Sequence, residues 1–539
     1  MSAPAGVLRS ASQIAIGTLV SRVTGFARTV VLAAVLGNGL VYTAYSNANV
    51  LPNQVYELLL GGLLTSVVVP LLVRAQHDAA ERGEDENVFA QRLFTLAVVG
   101  LGGATILGMF AAPLLVSIQG IGPRAPNHDL AALMALILLP QMVFYGIGAL
   151  AGAVLNIRDS YSAPAWAPVA NNILVILVGL SLLLPVFGGR RTTGSQDPYE
   201  GFSTTQILVL SIGTTLGIAL QAFILIPAWR KVGFRWRWRF DWRGVGLGEM
   251  AKIGSWVLMY VILGQVGFTI AGRVANSADR QFQGGAQSLY GQWTIADLLF
   301  QLPYGILGVS LLTAIMPKLA RAARDEDWPS VKKYLSDGSR LTGLALIPVS
   351  VAFWVLAVPL TMVFFNVGEF GAEAARSTGL ILAAGSFGLL PYAITLLQLR
   401  VFFAARDSRT PVLIMVGIVA VRVVLSLLCL SLPPQTAVIG LAVANSAAFV
   451  VGAVIGDVVL RRRFGQLGTR GVVVQLFKTL IAAIIAVAVV IPVYLVLVQY
   501  FSGASVWNLG GLSGLPLLHT SKLGTLVALL ISALVGLVV

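Results

Sequence analysis

The feature that most constrains this chain is a series of long apolar runs, of which residues 93–118 and 472–494 are two. Each run is close to the roughly 20 residues that an α-helix needs to cross the hydrocarbon core of a bilayer. Charged residues make up only 11% of the sequence, whereas an ordinary soluble domain contains about 25%. So little charge cannot cover a water-facing surface. The sequence therefore predicts an all-α polytopic membrane protein.

Apolar runs that end at charged, glycine, proline, asparagine or aspartate residues predict about fourteen membrane-spanning helices. Those before the longest basic loop are residues 10–36, 41–73, 92–118, 129–157, 164–187 and 205–228. Those after it are residues 251–276, 288–317, 341–365, 377–403, 411–432, 436–460, 472–499 and 522–539.

The formal net charge of +14 could suggest a nucleic-acid partner. In a membrane protein, however, an excess of lysine and arginine is first explained by the orientation of the chain in the membrane. Most of the 36 lysines and arginines fall on one side of the membrane if the N-terminus is inside. We therefore expect a protein of the cytoplasmic (inner) membrane with both termini in the cytoplasm. The single cysteine, Cys429, provides neither a disulfide framework nor a cysteine-based metal site, and we expect no metal or cofactor.

Short segments recur between the two halves at one spacing. Arg-Asp-Ser at 158–160 recurs at 406–408, and Leu-Leu-Thr at 63–65 recurs at 311–313, both at a shift of 248. Internal repeats are typical of secondary transporters, and these predict two pseudo-symmetric six-helix lobes related by an axis along the membrane normal.

The predicted domains are an N-lobe, a basic and aromatic cytoplasmic linker, a C-lobe and two extra C-terminal helices, at residues 1–229, 230–250, 251–460 and 461–539. The last apolar run ends at Val539 without a basic flank. This favours a natural chain that continues further.

Charged residues inside spans are costly, by about 2.5 to 3.5 kcal/mol on insertion scales, so each requires a reason. Arg22 lies about 20 Å along the helix from Arg9 and cannot easily reach either membrane surface, which favours a water-filled cavity. Arg28 and Arg273 have a structural alternative, in which the side chain extends to the interface. Asp297, in the eighth span, is a further cavity candidate.

The second span combines polar residues with a proline, in the order Asn49, Pro52, Asn53 and Glu57. Pro52 removes a backbone hydrogen bond that another group must replace, so such a helix usually lines a cavity. A purely structural kink against neighbouring helices is the alternative.

The linker contains Arg-Trp-Arg-Trp-Arg-Phe at 235–240. Both residue types favour the membrane interface, so an interfacial anchor is the first interpretation, contact with anionic lipid or a partner the second, and nucleic acid the least supported. HExxH and GxxxxGK[ST] motifs are missing from the sequence, so we expect neither a zinc hydrolase nor an ATPase, and no enzyme.

Residues 21–28, Ser-Arg-Val-Thr-Gly-Phe-Ala-Arg, resemble the first-helix signature of the MurJ (MviN) lipid II flippases, members of the multidrug/oligosaccharidyl-lipid/polysaccharide (MOP) exporter superfamily. Other segments resemble that family in order and spacing. They are Leu-Pro-Asn at 51–53, Gly-Ala-Val-Leu-Asn at 152–156, Ala-Pro-Ala-Trp-Ala-Pro at 163–168, residues 302–309 and Arg-Thr-Pro at 409–411.

The resemblance implies two six-helix lobes around a central cationic cavity, with two added helices that shape a groove for a lipid tail. The implied activity is transfer of lipid II, a peptidoglycan precursor linked to undecaprenyl or decaprenyl pyrophosphate, to the outer leaflet by alternating access. Arg22 and Arg28 would hold the pyrophosphate. The predicted cavity residues are Ser21, Arg22, Gly25, Arg28, Asn49, Asn53, Glu57, Arg273 and Asp297.

This chain also departs from the family pattern. Tyr56 and Leu298 stand where the family often has further cavity arginines, and we expect Arg273 to supply the missing positive charge. Span eleven has Arg422 but no carboxylate, which argues against sodium coupling. The membrane potential is another drive, at about 2.3 kcal/mol per charge per 100 mV.

Three alternatives remain open at the level of the sequence. One is a cation-coupled multidrug exporter of the same superfamily, which two arginines in the first span disfavour. Another is a flippase for a different polyprenyl-pyrophosphate-linked saccharide. The third is a membrane scaffold whose cytoplasmic extension recruits cell-wall regulators, a role compatible with transport.

Overall fold

The computed structural model of the chain has two compact units, made of residues 1–273 and 274–539. The residues it describes are 5–58, 68–82, 85, 87–184, 186, 199–241, 247–282, 287–405, 407–465 and 469–502. Helices account for most of these residues, and none of them forms a β-strand. The predicted all-α fold class is therefore confirmed.

In its described residues the first unit contains ten complete helices and most of an eleventh, which continues past Arg273. They are α1 (Ala5–Leu36), α2 (Leu40–Leu58), α3 (Val69–Arg82), α4 (Val88–Phe110), α5 (Ala112–Ile118), α6 (His128–Leu138), α7 (Gln141–Asn156), α8 (Ser162–Ser181), α9 (Thr204–Phe223), α10 (Ile226–Lys231) and α11 (Leu247–Gln281).

The second unit continues with α12 (Leu289–Pro303), α13 (Val309–Arg324), α14 (Trp328–Phe365), α15 (Ala372–Gly385), α16 (Leu389–Ala404), α17 (Arg409–Leu428), α18 (Pro434–Phe464) and α19 (Thr469–Ser502). A π-helical turn, Tyr304–Gly308, separates α12 from α13.

Eleven segments among the described residues are long and apolar enough to cross a membrane, and they correspond to eleven of the predicted spans. Of the second predicted span the structure describes residues 41–58 and 68–73, and in the eighth a π-helical turn follows α12 after Pro303. The fourteenth span, residues 63–65 and Arg406 lie outside the described residues. A multi-span membrane protein is therefore confirmed, while the count of fourteen and the four-part domain division stay predictions.

Helix α8 packs against α1 on one side and α9 on the other. Small residues allow these backbones to approach, as is common between membrane helices. A Cβ at Gly17 of α1 would lie 3.0 Å from Nε1 of Trp166, and one at Gly217 of α9 would lie 2.4 Å from Oδ1 of Asn171. This packing determines which side of α1 is covered by α8.

The N-terminal end of α2 is held by an acidic residue from a distant loop. The main-chain N–H of Val41 donates to Glu200 at 3.2 Å, which satisfies one of the amides that a helix start leaves without an intrahelical partner. A Cβ at Gly39 would lie 2.2 Å from Glu200 Oε1, so this approach requires glycine. Pro52 lies inside the same helix and removes a donor further along it.

Candidate functional site

The central part of α1 presents two arginines. Arg22 is exposed and Arg28 is half-buried, and their spacing of six residues turns the second by about 120° from the first on a regular helix. Among the described residues, no carboxylate lies within 4.0 Å of either guanidinium. The two positive charges are therefore not neutralised by a direct ion pair there.

Helices α2 and α7 place polar side chains around these arginines. The charge of Arg22 acts on Glu57 and Tyr56, and the charge of Arg28 acts on three tyrosines, Tyr42, Tyr45 and Tyr145. Glu57 is exposed. The structure thus brings Arg22, Arg28 and Glu57 of the predicted site into one cluster.

Hydrogen bonds hold the half of α2 that follows Pro52. The hydroxyl of Tyr145 donates to Oδ1 of Asn53 at 2.7 Å, and the Asn53 amide donates to the carbonyl of Asn49 at 2.9 Å. The rings of Tyr56 and Tyr145 lie 4.5 Å apart. Asn53 therefore has a positioning role, which fixes the part of α2 that carries Tyr56 and Glu57.

Helix α1 is held between its arginines by a side chain of α8. Nδ2 of Asn172 lies 3.1 Å from the carbonyl oxygen of Ser21 and 3.1 Å from Oγ1 of Thr24. Asn172 is only 5% exposed, and a Cβ added at Gly25 would lie 3.5 Å from its Nδ2. Ser21 and Gly25, both predicted site residues, thus lie on the side of α1 that contacts α8.

Arg273 occupies a different environment. Its side chain is exposed, and Nη1 donates to the carbonyl of Ile118 at 3.2 Å. That carbonyl ends α5, where helix carbonyls lack intrahelical donors and the helix dipole favours a cation. The contact explains why an arginine is found at this place, and the predicted role of Arg273 in cargo binding stays a prediction.

Asp297 is the one predicted site residue that belongs to the second unit. Nε2 of Gln301, one turn later on α12, donates to its carboxylate at 2.7 Å. Arg422 of α17 attracts the same carboxylate. Asp297 also lines a small cavity with Phe300 and Asn445. The second unit therefore places an acid and an arginine near enough to attract each other, without an ion pair between them.

No group of three or more histidine, cysteine, aspartate or glutamate side chains suited to a metal ion occurs in the described part of the chain. The expectation of a protein without metal or cofactor stays a prediction.

Comparison with protein families shows which family this chain belongs to. The family model described as "Lipid II flippase MurJ" matches residues 32–510, which is most of the chain. The chain belongs to the MurJ family. The match begins after Arg28, so it does not itself assign a role to the two arginines of α1.

Individual relatives agree with membership of the MurJ family. The "Lipid II flippase MurJ" of Burkholderia cenocepacia is 29% identical over 422 residues, covering 75% of this chain and 74% of the relative. A solved structure described as "Lipid II flippase MurJ, inward closed conformation" has a TM-score of 0.73 at 21% identity, covering 97% of both chains. A multidrug resistance MATE family transporter of the MOP superfamily has a TM-score of 0.61 at 15% identity, covering 84% of this chain and 99% of the other. At these identities the two structures show the fold alone.

Two side chains that position the site, Asn172 and Tyr145, were not identified from the sequence. Asn172 and Tyr145 both lie in apolar runs, where a single polar residue has many possible partners. A signal was available for Asn172, because it follows Asn171 in an otherwise apolar helix and buried amides require hydrogen bonds. The partner on α1 could not be read from that signal.

Proposed function

We propose that this chain is a flippase that moves lipid II from the inner to the outer leaflet of the cytoplasmic membrane. Membership of the MurJ family and the description of its relatives as lipid II flippases support the proposal. The observation that carries it is the pair of arginines on α1, which have no direct carboxylate partner among the described residues.

The chemistry of the cargo matches this arrangement. A cation inside a membrane helix is unfavourable unless water or an anion compensates its charge. Arginine presents a planar set of donors that suits phosphate oxygens, and contacts to phosphate are charge-assisted. A pyrophosphate would therefore gain most from Arg22 and Arg28, while Tyr56 and Tyr145 would line the approach with hydroxyl groups.

The lipid tail requires an apolar surface, and the second unit contains one. A groove of about 620 Å³ lies among α14, α15, α16 and α19 and is lined almost entirely by apolar side chains. Trp354 and Phe477 are large exposed residues in it. We infer that the polyprenyl chain of the cargo packs in this groove.

We infer that translocation proceeds by alternating access, in which the cationic face of α1 is presented first to the cytoplasm and then to the outside. An inside-negative membrane potential favours outward movement of an anion, by about 2.3 kcal/mol per charge per 100 mV if the charge crosses the whole field. The protein would act as a transporter and not as a catalyst. Both termini would be cytoplasmic, and a C-terminal extension would be the place for cell-wall regulators to bind.

A MATE-like drug exporter is the second candidate, and the likeness of fold to a MATE transporter favours it. Cationic cargo would need acidic or aromatic side chains without competing positive charge. Arg22 and Arg28 oppose such cargo, so the flippase is the better account. A flippase for another polyprenyl-pyrophosphate-linked saccharide would use the same arginines.

The test uses cells depleted of their native flippase, in which an outside probe reports the lipid II that has reached the outer leaflet. We expect the wild-type chain to restore outward lipid II, and the double variant Arg22→Ala, Arg28→Ala to fail at an equal level in the membrane. Equal restoration by both would assign the arginines a structural role. Failure of both would instead favour the exporter or the scaffold.

A further inference from the structure

The segment that follows α10 is extended and is fixed along the first turns of α4. Nε2 of Gln91 donates to the carbonyl of Arg235 at 2.8 Å, and Nε of Arg239 donates to Oε1 of Gln91 at 2.7 Å. The main-chain N–H of Arg239 donates to Oγ1 of Thr95 at 3.1 Å. The linker is therefore an ordered part of the first unit between α10 and residue 241.

Four aromatic side chains of this segment pass from the protein interior to its surface. Phe234 is buried and packs against Phe94, with ring centroids 5.2 Å apart. Trp236 is half-buried and lies 4.6 Å from Trp238. Trp238 and Phe240 are 57% and 66% exposed, and their rings are stacked 6.0 Å apart. The outer two rings thus form an exposed apolar patch supported by a buried base.

Cations accompany this patch. Arg235 and Arg237 are exposed, and within the described residues neither side chain has a hydrogen bond or an ion pair. Arg239 differs, because its guanidinium donates a hydrogen bond to Oε1 of Gln91. Two arginine side chains beside the exposed rings are therefore available to an anionic ligand.

The depth of the segment limits what that ligand can be. Helix α4 has 23 residues, so it is about 34 Å long at 1.5 Å per residue, slightly more than the hydrocarbon core of about 30 Å. The contacts with Gln91 and Thr95 fall within its first two turns, about 4 to 10 Å from its start. The apolar segment that contains α9 and α10 ends nearby at Lys231. The exposed patch consequently lies where headgroups meet acyl chains.

We propose that Arg235, Arg237, Trp238 and Phe240 form a binding site for an anionic phospholipid, with the arginines on its phosphate and the two rings beside its upper acyl chains. Aromatic residues favour the interface, and each basic residue near an anionic surface contributes about 1 kcal/mol. A nucleic acid or a soluble peptide would have to displace lipid to reach rings at this depth. The site is separate from the proposed flippase activity.

The test uses the full chain in nanodiscs of phosphatidylcholine that contain a small fraction of photoreactive lipid, either phosphatidylglycerol or phosphatidylcholine with the same reactive acyl chain. Peptide mass spectrometry measures adducts on residues 234–240. We expect more adducts from phosphatidylglycerol than from phosphatidylcholine. Arg235→Gln with Arg237→Gln should lower the phosphatidylglycerol yield toward that of phosphatidylcholine. The decrease should be at most roughly thirtyfold, which corresponds to about 1 kcal/mol for each of the two arginines.

Two further variants make the result specific. Arg321→Gln with Arg462→Gln removes the same charge from exposed helix ends in the second unit and should leave the adducts unchanged. Arg235→Lys with Arg237→Lys retains the charge and should retain most of the preference. Equal yields from the two lipids, or a preference that survives in the Gln variant, would overturn the proposal. So would the lack of adducts from either lipid, since the segment would then not face the bilayer.

Discussion

In the second unit an arginine on α17 attracts an acid on α12, whereas in the first unit two arginines lie on α1 and one of them, Arg22, attracts an acid, Glu57. The formal charges of Asp297 and Arg422 sum to zero. Arg22, Arg28 and Glu57 together carry one net positive charge. The comparison is consistent with the anionic cargo that we propose for the first unit.

The two units differ in charge more than in their aromatic framework. A shift of 248 relates Tyr56 to Tyr304 and Asn49 to Asp297. Tyr56 contacts Tyr145 with centroids 4.5 Å apart, and Tyr304 contacts Tyr392 at 4.8 Å. A similar tyrosine pair thus occurs in each unit, while Asn49 has no charge and its equivalent is an acid. Duplication would preserve the packing and let the charged positions diverge.

The largest effect is expected when the charge balance of the second unit is broken. Asp297→Ala removes a half-buried carboxylate that attracts Arg422 and accepts a hydrogen bond from Gln301, and we expect the loss to be unfavourable by roughly 2 to 3 kcal/mol. Reversible unfolding in mixed detergent micelles measures the change in unfolding free energy. Glu57→Ala should have a much smaller effect, because Glu57 is exposed. Equal destabilisation by the two variants would remove the distinction between the units.

A transport effect of intermediate size is expected from Asn172→Ala. The change removes the two contacts that hold α1 at Ser21 and Thr24, and hydrogen bonds of about 1 kcal/mol each suggest up to roughly a thirtyfold loss of outward lipid II. The neighbouring variant Asn171→Ala is the control, since Asn171 faces Gly217 on α9. If both variants transport equally well at equal expression, Asn172 does not position the arginines.

Tyr145→Phe should have a smaller effect on transport. It keeps the ring contact with Tyr56 but loses the hydrogen bond to Asn53, a contribution of about 1 kcal/mol or roughly fivefold in rate. Tyr45→Phe loses a hydroxyl contact with Thr214 and provides the comparison. The same lipid II accessibility assay measures both, and an unchanged rate for Tyr145→Phe would mean that Asn53 is held without it.

The smallest effect concerns the related loops at 158–160 and 406–408. Burial raises the pKa of Asp407, but hydrogen bonds from Thr410 and Arg463 together hold it below its usual value. A lowered pKa adds stability that is present above about pH 4 and is lost as the pH falls further. Asp407→Asn should weaken this acid dependence by up to about 1 kcal/mol.

Asp159→Asn is the matched control for that prediction. Asp159 accepts from the hydroxyl of Tyr161 at 2.9 Å and has a left-handed backbone, with φ +56, which asparagine also adopts. Acid unfolding curves of the two variants should therefore differ. Identical curves would show that the two loops respond to pH in the same way.

The membrane helices were predictable because length and apolar composition alone decide whether a helix can span a bilayer. The π-helical turn after α12, Tyr304–Gly308, was less accessible, because such a turn leaves no reliable pattern in the sequence. Arg22 and Arg28 were identifiable because charge inside an apolar run is conspicuous. Their support by Asn172 depends on which helices pack together, and periodicity does not contain that information.

The central claim is that Arg22 and Arg28 bind the pyrophosphate of the cargo. The most direct measurement compares binding of lipid II with binding of the same lipid carrying a single phosphate, using the purified full chain in nanodiscs. The wild type should prefer the pyrophosphate by about tenfold or more, and Arg22→Gln with Arg28→Gln should remove that preference while Arg22→Lys with Arg28→Lys keeps part of it. An unchanged preference in the Gln variant would contradict the account.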